Sequence, residues 1–178
     1  QARAGTITSE IEAVARAEQL DAEHVRQEVA AGRLVIPANR NHLAKTLATI
    51  GIGIATRTKV NANLGNSPLT SDTQCELKKL TCAVQCGADT VMDLSTGEDI
   101  TATRQRMIDA ATVPVGTVPI YQVAEQMDDI VDMRPDDFLA VVEEQARQGV
   151  DYMTIHAGLL REHVPLTDRR VTGIVSRG

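Results

Sequence analysis

Along this chain, stretches with apolar residues every three or four positions alternate with short β-branched runs, the grammar of helices laid against a buried sheet. Ser9-x-x-Glu12 is a capping box that predicts a helix with Ile11, Val14 and Ala15 on one face, ending near Leu20. A second helix is expected over residues 22–31. It stops at Gly32 and feeds the run Leu34-Val35-Ile36, which Pro37 closes or pushes to a sheet edge. Ser71-x-x-Gln74 predicts another helix cap, with Leu77, Leu80, Thr81 and Val84 facing inward and Gly87 as the stop. Further helices are expected over residues 100–111 and from Pro135 to Gly149, the latter burying Phe138, Val141 and Val142.

Between these helices the runs are short and end in polar residues. Gly87-Ala88-Asp89-Thr90-Val91-Met92-Asp93-Leu94-Ser95-Thr96-Gly97 joins a helix stop, a strand covered on both faces and a polar strand end. Lys59-Val60-Asn61-Ala62-Asn63-Leu64-Gly65-Asn66-Ser67 gathers three Asn on and after a strand, which calls either for structural hydrogen bonding or for a ligand. Pro114 and Pro119 bracket a strand whose paired core is residues 115–118, with Tyr121 read as a strand-end residue. Residues 152–156 form the next strand, ending on His156, and residues 171–178 read as one more strand breaking into a polar turn. Asn39-Arg40-Asn41-His42 reads as a turn whose Asn side chains bond the local backbone.

This alternation fits either a doubly wound sheet or a (β/α)8 barrel of the TIM type. The first predicts a Gly-rich phosphate turn with an acidic residue about twenty positions on, and none is present. The second predicts polar residues at successive strand ends, where Asn63, Asp93, Tyr121, His156 and Ser176 stand. The barrel is preferred. A whole one takes about 250 residues, so 178 residues supply about five of its eight units. Residues 1–33 are expected as an N-terminal helical segment and residues 34–178 as the first part of the barrel.

The net charge of −6 is spread without a basic stripe, which argues against nucleic-acid and membrane-surface partners. With no Trp and one Phe, the core is aliphatic. No apolar run approaches the roughly 20 residues of a membrane span, and no signal peptide opens the chain, so the cytoplasm is the expected compartment. Cys75, Cys82 and Cys86 are odd in number and share one predicted helix face, which argues against disulfides. Without third and fourth ligands nearby they read as buried structural thiols rather than a metal site.

Six segments carry a resemblance: Pro37-Ala38-Asn39-x-Asn41-His42; the Lys59 to Ser67 and Gly87 to Gly97 stretches above; Pro114-Val115-Gly116-Thr117-Val118-Pro119-Ile120-Tyr121-Gln122; Gly149-Val150-Asp151-Tyr152-x-Thr154-Ile155-His156-Ala157-Gly158; and Thr172-Gly173-Ile174-Val175-Ser176-Arg177-Gly178. In this order they resemble the phosphomethylpyrimidine synthase (ThiC) family. The resemblance implies a (β/α)8 barrel and a radical S-adenosylmethionine lyase of thiamine biosynthesis. That enzyme rearranges 5-aminoimidazole ribotide into 4-amino-5-hydroxymethyl-2-methylpyrimidine phosphate.

Carried over by motif, the ribotide-binding positions are Asn63, Met92, Tyr121, His156, Ser176, Arg177 and Gly178. Ser176 and the amides after it would take the phosphate as an anion nest. The implied cofactors are S-adenosylmethionine, a [4Fe-4S] cluster and a divalent metal such as zinc. The resemblance implies that the cluster and metal ligands lie beyond Gly178, and Cys75, Cys82 and Cys86 do not reproduce the family's three-Cys motif. A homodimer is implied as well. Two other readings stand beside this one: a paralogous 5-hydroxybenzimidazole synthase of anaerobic cobalamin biosynthesis using the same ribotide, and a non-catalytic half-barrel that binds a phosphorylated ligand.

Overall fold

A computed structural model of the chain describes residues 1–67, 72–97 and 99–174. Four parallel strands, β3 (Asn61–Leu64), β4 (Thr90–Asp93), β5 (Val115–Thr117) and β6 (Tyr152–Met153), lie side by side in chain order. The crossovers are α4 (Thr73–Gln85), α5 (Ile100–Ala110), and α6 (Pro119–Glu125) with α7 (Pro135–Gln148). Ahead of them come α1 (Ser9–Glu18), α2 (Ala22–Ala30), β1 (Leu34–Val35), the short α3 (Arg40–Leu43) and β2 (Ile52–Gly53).

The sheet has one dry face. Leu64, Val91 and Val115 point to the helices and pack with Leu80 of α4 and Met107 and Ile108 of α5. On the same side, Thr117 donates to Gln145 of α7 at 2.6 Å. Complete burial of Val91, Met107, Ile108 and Val115 supplies the driving force, about 1.5–3 kcal/mol for each large side chain. The other face carries Asn61, Asn63, Thr90, Met92, Gly116 and Tyr152, the alternate positions of the same strands. No described helix covers it. The expectation that β4 is covered on both faces is therefore corrected: Val91 is sealed, whereas Met92 is half-buried beside an open cleft.

Helices on one side of a parallel sheet are not the doubly wound arrangement. Among the described residues the sheet does not close either: β3 and β6 are its two edges.

Several local expectations are corrected as well. The run 34–36 is not a strand of the main sheet. Leu34–Val35 pairs antiparallel with Ile52–Gly53, and Leu34 joins Ile11, Val14, Ala15 and Val25 in a separate N-terminal core. Gly53 is required there, because a Cβ would meet the Arg33 carbonyl oxygen at 2.4 Å. The caps sit one residue from where the box motif puts them: Thr8, not Ser9, accepts from the Ile11 amide, and Asp72 accepts from Cys75 N. In α4 the fully buried side chains are Leu80 and Glu76, while Thr81 is exposed. Phe138 and Val142 of α7 are only half-buried.

Pro119 does not close β5. It opens α6 at its first position, so Tyr121 lies in a helical turn. Strand β6 ends at Met153, extended by one further bond from Thr154 N to Thr117 O, and His156 stands exposed beyond it. Residues 171–174 are turn and coil rather than strand, and residues 175–178 of that expected strand lie outside the described residues. Cys75, Cys82 and Cys86 are exposed rather than buried. Among the described residues no helix is long and apolar enough to cross a membrane.

Candidate functional site

The register of the four strands builds one row across the open face: Asn63 beside Met92, Met92 beside Gly116, Gly116 beside Tyr152. Each strand end arrives there through buried polar anchors. At the entry to β3 and β4, Asp89 accepts from the Val60 amide at 2.8 Å and from both ends of the Arg57 guanidinium. Burial alone would raise its carboxyl pKa, but Arg57 and the amide outweigh that and hold it low. At the exit, Leu94 N bonds Leu64 O at 2.8 Å, Asn66 N bonds Ser95 Oγ at 3.2 Å and Gly65 N bonds the buried Glu76 carboxylate at 2.9 Å. The loops after β3 and β4 are thus bonded to one another beyond the strands. Asp93, on the helix side, donates nothing to the open face: it accepts from Ser95 N at 2.9 Å, and burial pushes its pKa up.

A second set of anchors ties residues 39–42 to the entries of β5 and β6. Asn39 caps α3 as the turn reading expects, but its Nδ2 also reaches across to the Ala146 and Val150 carbonyls. His42 is fully buried, with Nδ1 2.7 Å from Asp151 Oδ2 and Nε2 3.0 Å from Ala111 O. Both ring nitrogens face acceptors, so both carry protons and the ring is an imidazolium. Burial would lower its pKa; the bonds to Asp151 and Ala111 O prevail and raise it.

On the open face the row is polar at one end and aromatic at the other. Tyr152 lays its ring over Gly116, where a Cβ would come within 2.2 Å of the ring atoms. Its hydroxyl lies 2.9 Å from Asn61 Oδ1 and 3.1 Å from Val91 O. Asn61 Nδ2 donates to Asn63 Oδ1 at 2.8 Å. The Thr154 hydroxyl lies 3.8 Å from the Met92 sulfur. Past the strand ends, the Tyr121 and His156 rings stand 6.1 Å apart between centroids at 39°. Of the open face, Asn61, Thr90, Met92 and Tyr152 border a cleft of about 780 Å³ whose far wall is Arg33, residues 52–54 and residues 56–59.

Of the residues singled out from sequence, then, Asn63 and Met92 are strand neighbours and Tyr121 and His156 are ring neighbours, while Ser176, Arg177 and Gly178 lie outside the described residues. Gly116, Tyr152 and Thr154 were not singled out, and Asn61 was marked only as one of the three Asn of its stretch. Tyr152, Thr154 and His156 are alternate positions, as are Asn61 and Asn63, so reading strand parity outward from His156 and Asn63 would have found three of them.

A family model described as the radical SAM ThiC family matches residues 1–178. The chain belongs to the radical SAM ThiC family. It is 58% identical over 177 residues to a phosphomethylpyrimidine synthase of Natronomonas pharaonis, and 56% identical to those of two strains of Halobacterium salinarum. The alignment covers 99% of this chain and 37% of each relative. A radical SAM family implies S-adenosylmethionine and a [4Fe-4S] cluster, and the thiols present do not fit one. Cys75, Cys82 and Cys86 are exposed along one helix, with Cys75 and Cys86 about 16 Å apart along its axis. Among the described residues no three His, Cys, Asp or Glu gather as metal ligands.

Proposed function

We propose that this chain contributes the ribotide-binding half of a phosphomethylpyrimidine synthase, which converts 5-aminoimidazole ribotide into 4-amino-5-hydroxymethyl-2-methylpyrimidine phosphate in thiamine biosynthesis. The observation that carries the reading is the family match along the whole chain, at 56–58% identity to curated synthases. The geometry supports it. One-sided helices on a parallel sheet in chain order are what the first units of a (β/α)8 barrel require, and the open face with the row at Asn63 is then the barrel interior. In this reading residues 34–178 are the opening part of the barrel, and residues 1–33 a helical segment packed against its foot.

The residues then divide the work by chemistry. Asn63 bonds a heteroatom of the ring or ribose, and Met92 gives a polarizable apolar contact beside it. Tyr121 and His156, paired at the mouth, hold the other flank. Ser176, Arg177 and Gly178 take the phosphate, with backbone amides as donors. The cluster, the divalent metal and the radical step belong to residues other than those described here.

The test is anaerobic turnover of the complete protein with S-adenosylmethionine and 5-aminoimidazole ribotide, with product identified by mass spectrometry. The pyrimidine phosphate is expected. 5-Hydroxybenzimidazole would transfer the chain to the cobalamin paralogue, and ribotide binding without any product would leave a binding module.

A further inference from the structure

Asn63 sits on the open face with only one end of its amide engaged. The other engagements around it form a directed chain that begins three strands away, at Tyr152. The Tyr152 hydroxyl has one proton and faces two acceptors, Asn61 Oδ1 at 2.9 Å and Val91 O at 3.1 Å, so it donates in a three-centre bond whose shorter arm goes to Asn61. The Thr90 hydroxyl, 2.9 Å away, donates to the same Asn61 oxygen. Two donors fill the lone pairs of that carbonyl and fix which way the Asn61 amide points. Its Nδ2 therefore faces Asn63 Oδ1 at 2.8 Å and donates there. With its carbonyl end committed, Asn63 presents Nδ2, which has no partner among the described residues.

We infer that Tyr152 and Thr90, acting through Asn61, are positioning residues that set the Asn63 side chain as a hydrogen-bond donor, so that the ligand atom meeting it is an acceptor. The inference rests on the ribotide reading only for the identity of that ligand. Applied to 5-aminoimidazole ribotide, it assigns Asn63 to the unprotonated ring nitrogen or to a ribose oxygen acting as acceptor, and excludes the exocyclic amine hydrogens. Burial of the Tyr152 phenol raises its pKa, which keeps the donating proton in place at neutral pH. The ring can reach Asn61 only because position 116 is Gly, since a Cβ there would lie 2.2 Å from two ring atoms.

An amide held from one side only turns over at little cost, whereas one held by two donors does not. This distinguishes a relay from mere packing. Tyr152→Phe keeps the ring over Gly116 and removes one of the two donors. Asn61→Asp keeps acceptors for Tyr152 and Thr90 but replaces the donor facing Asn63 with a second oxygen, which repels the Asn63 carbonyl and turns that amide around.

The experiment is calorimetric titration of the complete protein with 5-aminoimidazole ribotide, for wild type, Tyr152→Phe, Asn61→Asp, Asn63→Ala and the double variant Tyr152→Phe/Asn63→Ala. Expected is a loss of roughly fivefold to tenfold in affinity for Tyr152→Phe, a loss at least as large for Asn61→Asp, and no further loss when Tyr152→Phe is added to Asn63→Ala. Losses that multiply in the double variant would overturn the relay. A ligand-free readout accompanies it: with selective ¹⁵N-asparagine labelling, Tyr152→Phe should shift the side-chain amide resonances of both Asn61 and Asn63. If wild type binds no ribotide, the functional reading falls while these resonances still decide the relay; if they do not move, the relay is wrong whatever the ligand.

Discussion

Replacing His42 by Ala removes the cation from a pair in which neither side chain touches solvent. Asp151 would keep two donors, the Asn39 and Val115 amides at 2.8 and 2.7 Å, but would remain a buried carboxylate without its counter-charge. Breaking such a pair from one side costs about 3–5 kcal/mol, and the two retained amides place this case near 3 kcal/mol. The size depends on pH in a defined direction. The folded-state pKa of His42 is raised above 6.5, so its contribution is fully present below that value and is lost as pH rises through the folded pKa. Lys45, itself paired with Asp109 at 2.5 Å, opposes the shift without reversing it. Urea unfolding of wild type and His42→Ala between about pH 6 and pH 9 is the assay. The stability difference should be largest at the acid end and shrink toward the cavity and neutral hydrogen-bond remainder, about 1–2 kcal/mol, at the alkaline end. A difference that is flat across this range, or that grows with pH, would mean that His42 is neutral and the two-acceptor argument is wrong.

Gly116→Ala should drive the Tyr152 ring off the sheet, costing about 1–3 kcal/mol in thermal or urea stability and, on the proposed function, weakening ribotide binding as well; unchanged values for both would refute the contact. His156→Ala in the complete protein should weaken ribotide binding by on the order of 1–3 kcal/mol while leaving thermal unfolding ordinary, since the ring is exposed in this chain; calorimetry giving an unchanged dissociation constant would remove His156 from the site. Anaerobic reconstitution of residues 1–178 alone with iron and sulfide should yield no stoichiometric cluster by absorption spectroscopy, because the exposed thiols are strung along one helix; a cluster with 5′-deoxyadenosine formation would overturn that reading.

The elements with strong periodicity were legible from the chain. The helices around Ile11, Leu80, Met107 and Val141 fall where the apolar spacing puts them, and Gly87 and Gly149 stop theirs with positive φ. What misled was local chemistry with two solutions. Pro119 suits a strand end and a helix start equally, and only the Val118 backbone entering α6 decides between them. Leu34-Val35 has the composition of a parallel core strand but pairs antiparallel with Ile52-Gly53, a long-range choice that no local pattern encodes. Cysteine burial statistics gave the wrong side of α4, where Glu76 is taken inside to hold the Gly65 amide. At the site, Asn63 and Met92 were legible as strand-end residues. Tyr152 was not, because its reach depends on Gly116, which lies on the neighbouring strand β5 and meets it only through the parallel pairing of the two strands.

The order of the main sheet, in which each strand pairs with the one synthesised just before it, has a kinetic meaning. Every crossover closes a loop between neighbours in both sequence and space, so the entropy of loop closure is met in small instalments rather than in one long-range search. At translation speeds of about 5–20 residues per second, β3 and β4 can be paired and backed by α4 and α5 before β6 leaves the ribosome. The outer edge of each finished strand is then the template for the next. A nascent chain paused after β6 would present that unpaired edge, and the polar open face beside it, to solvent.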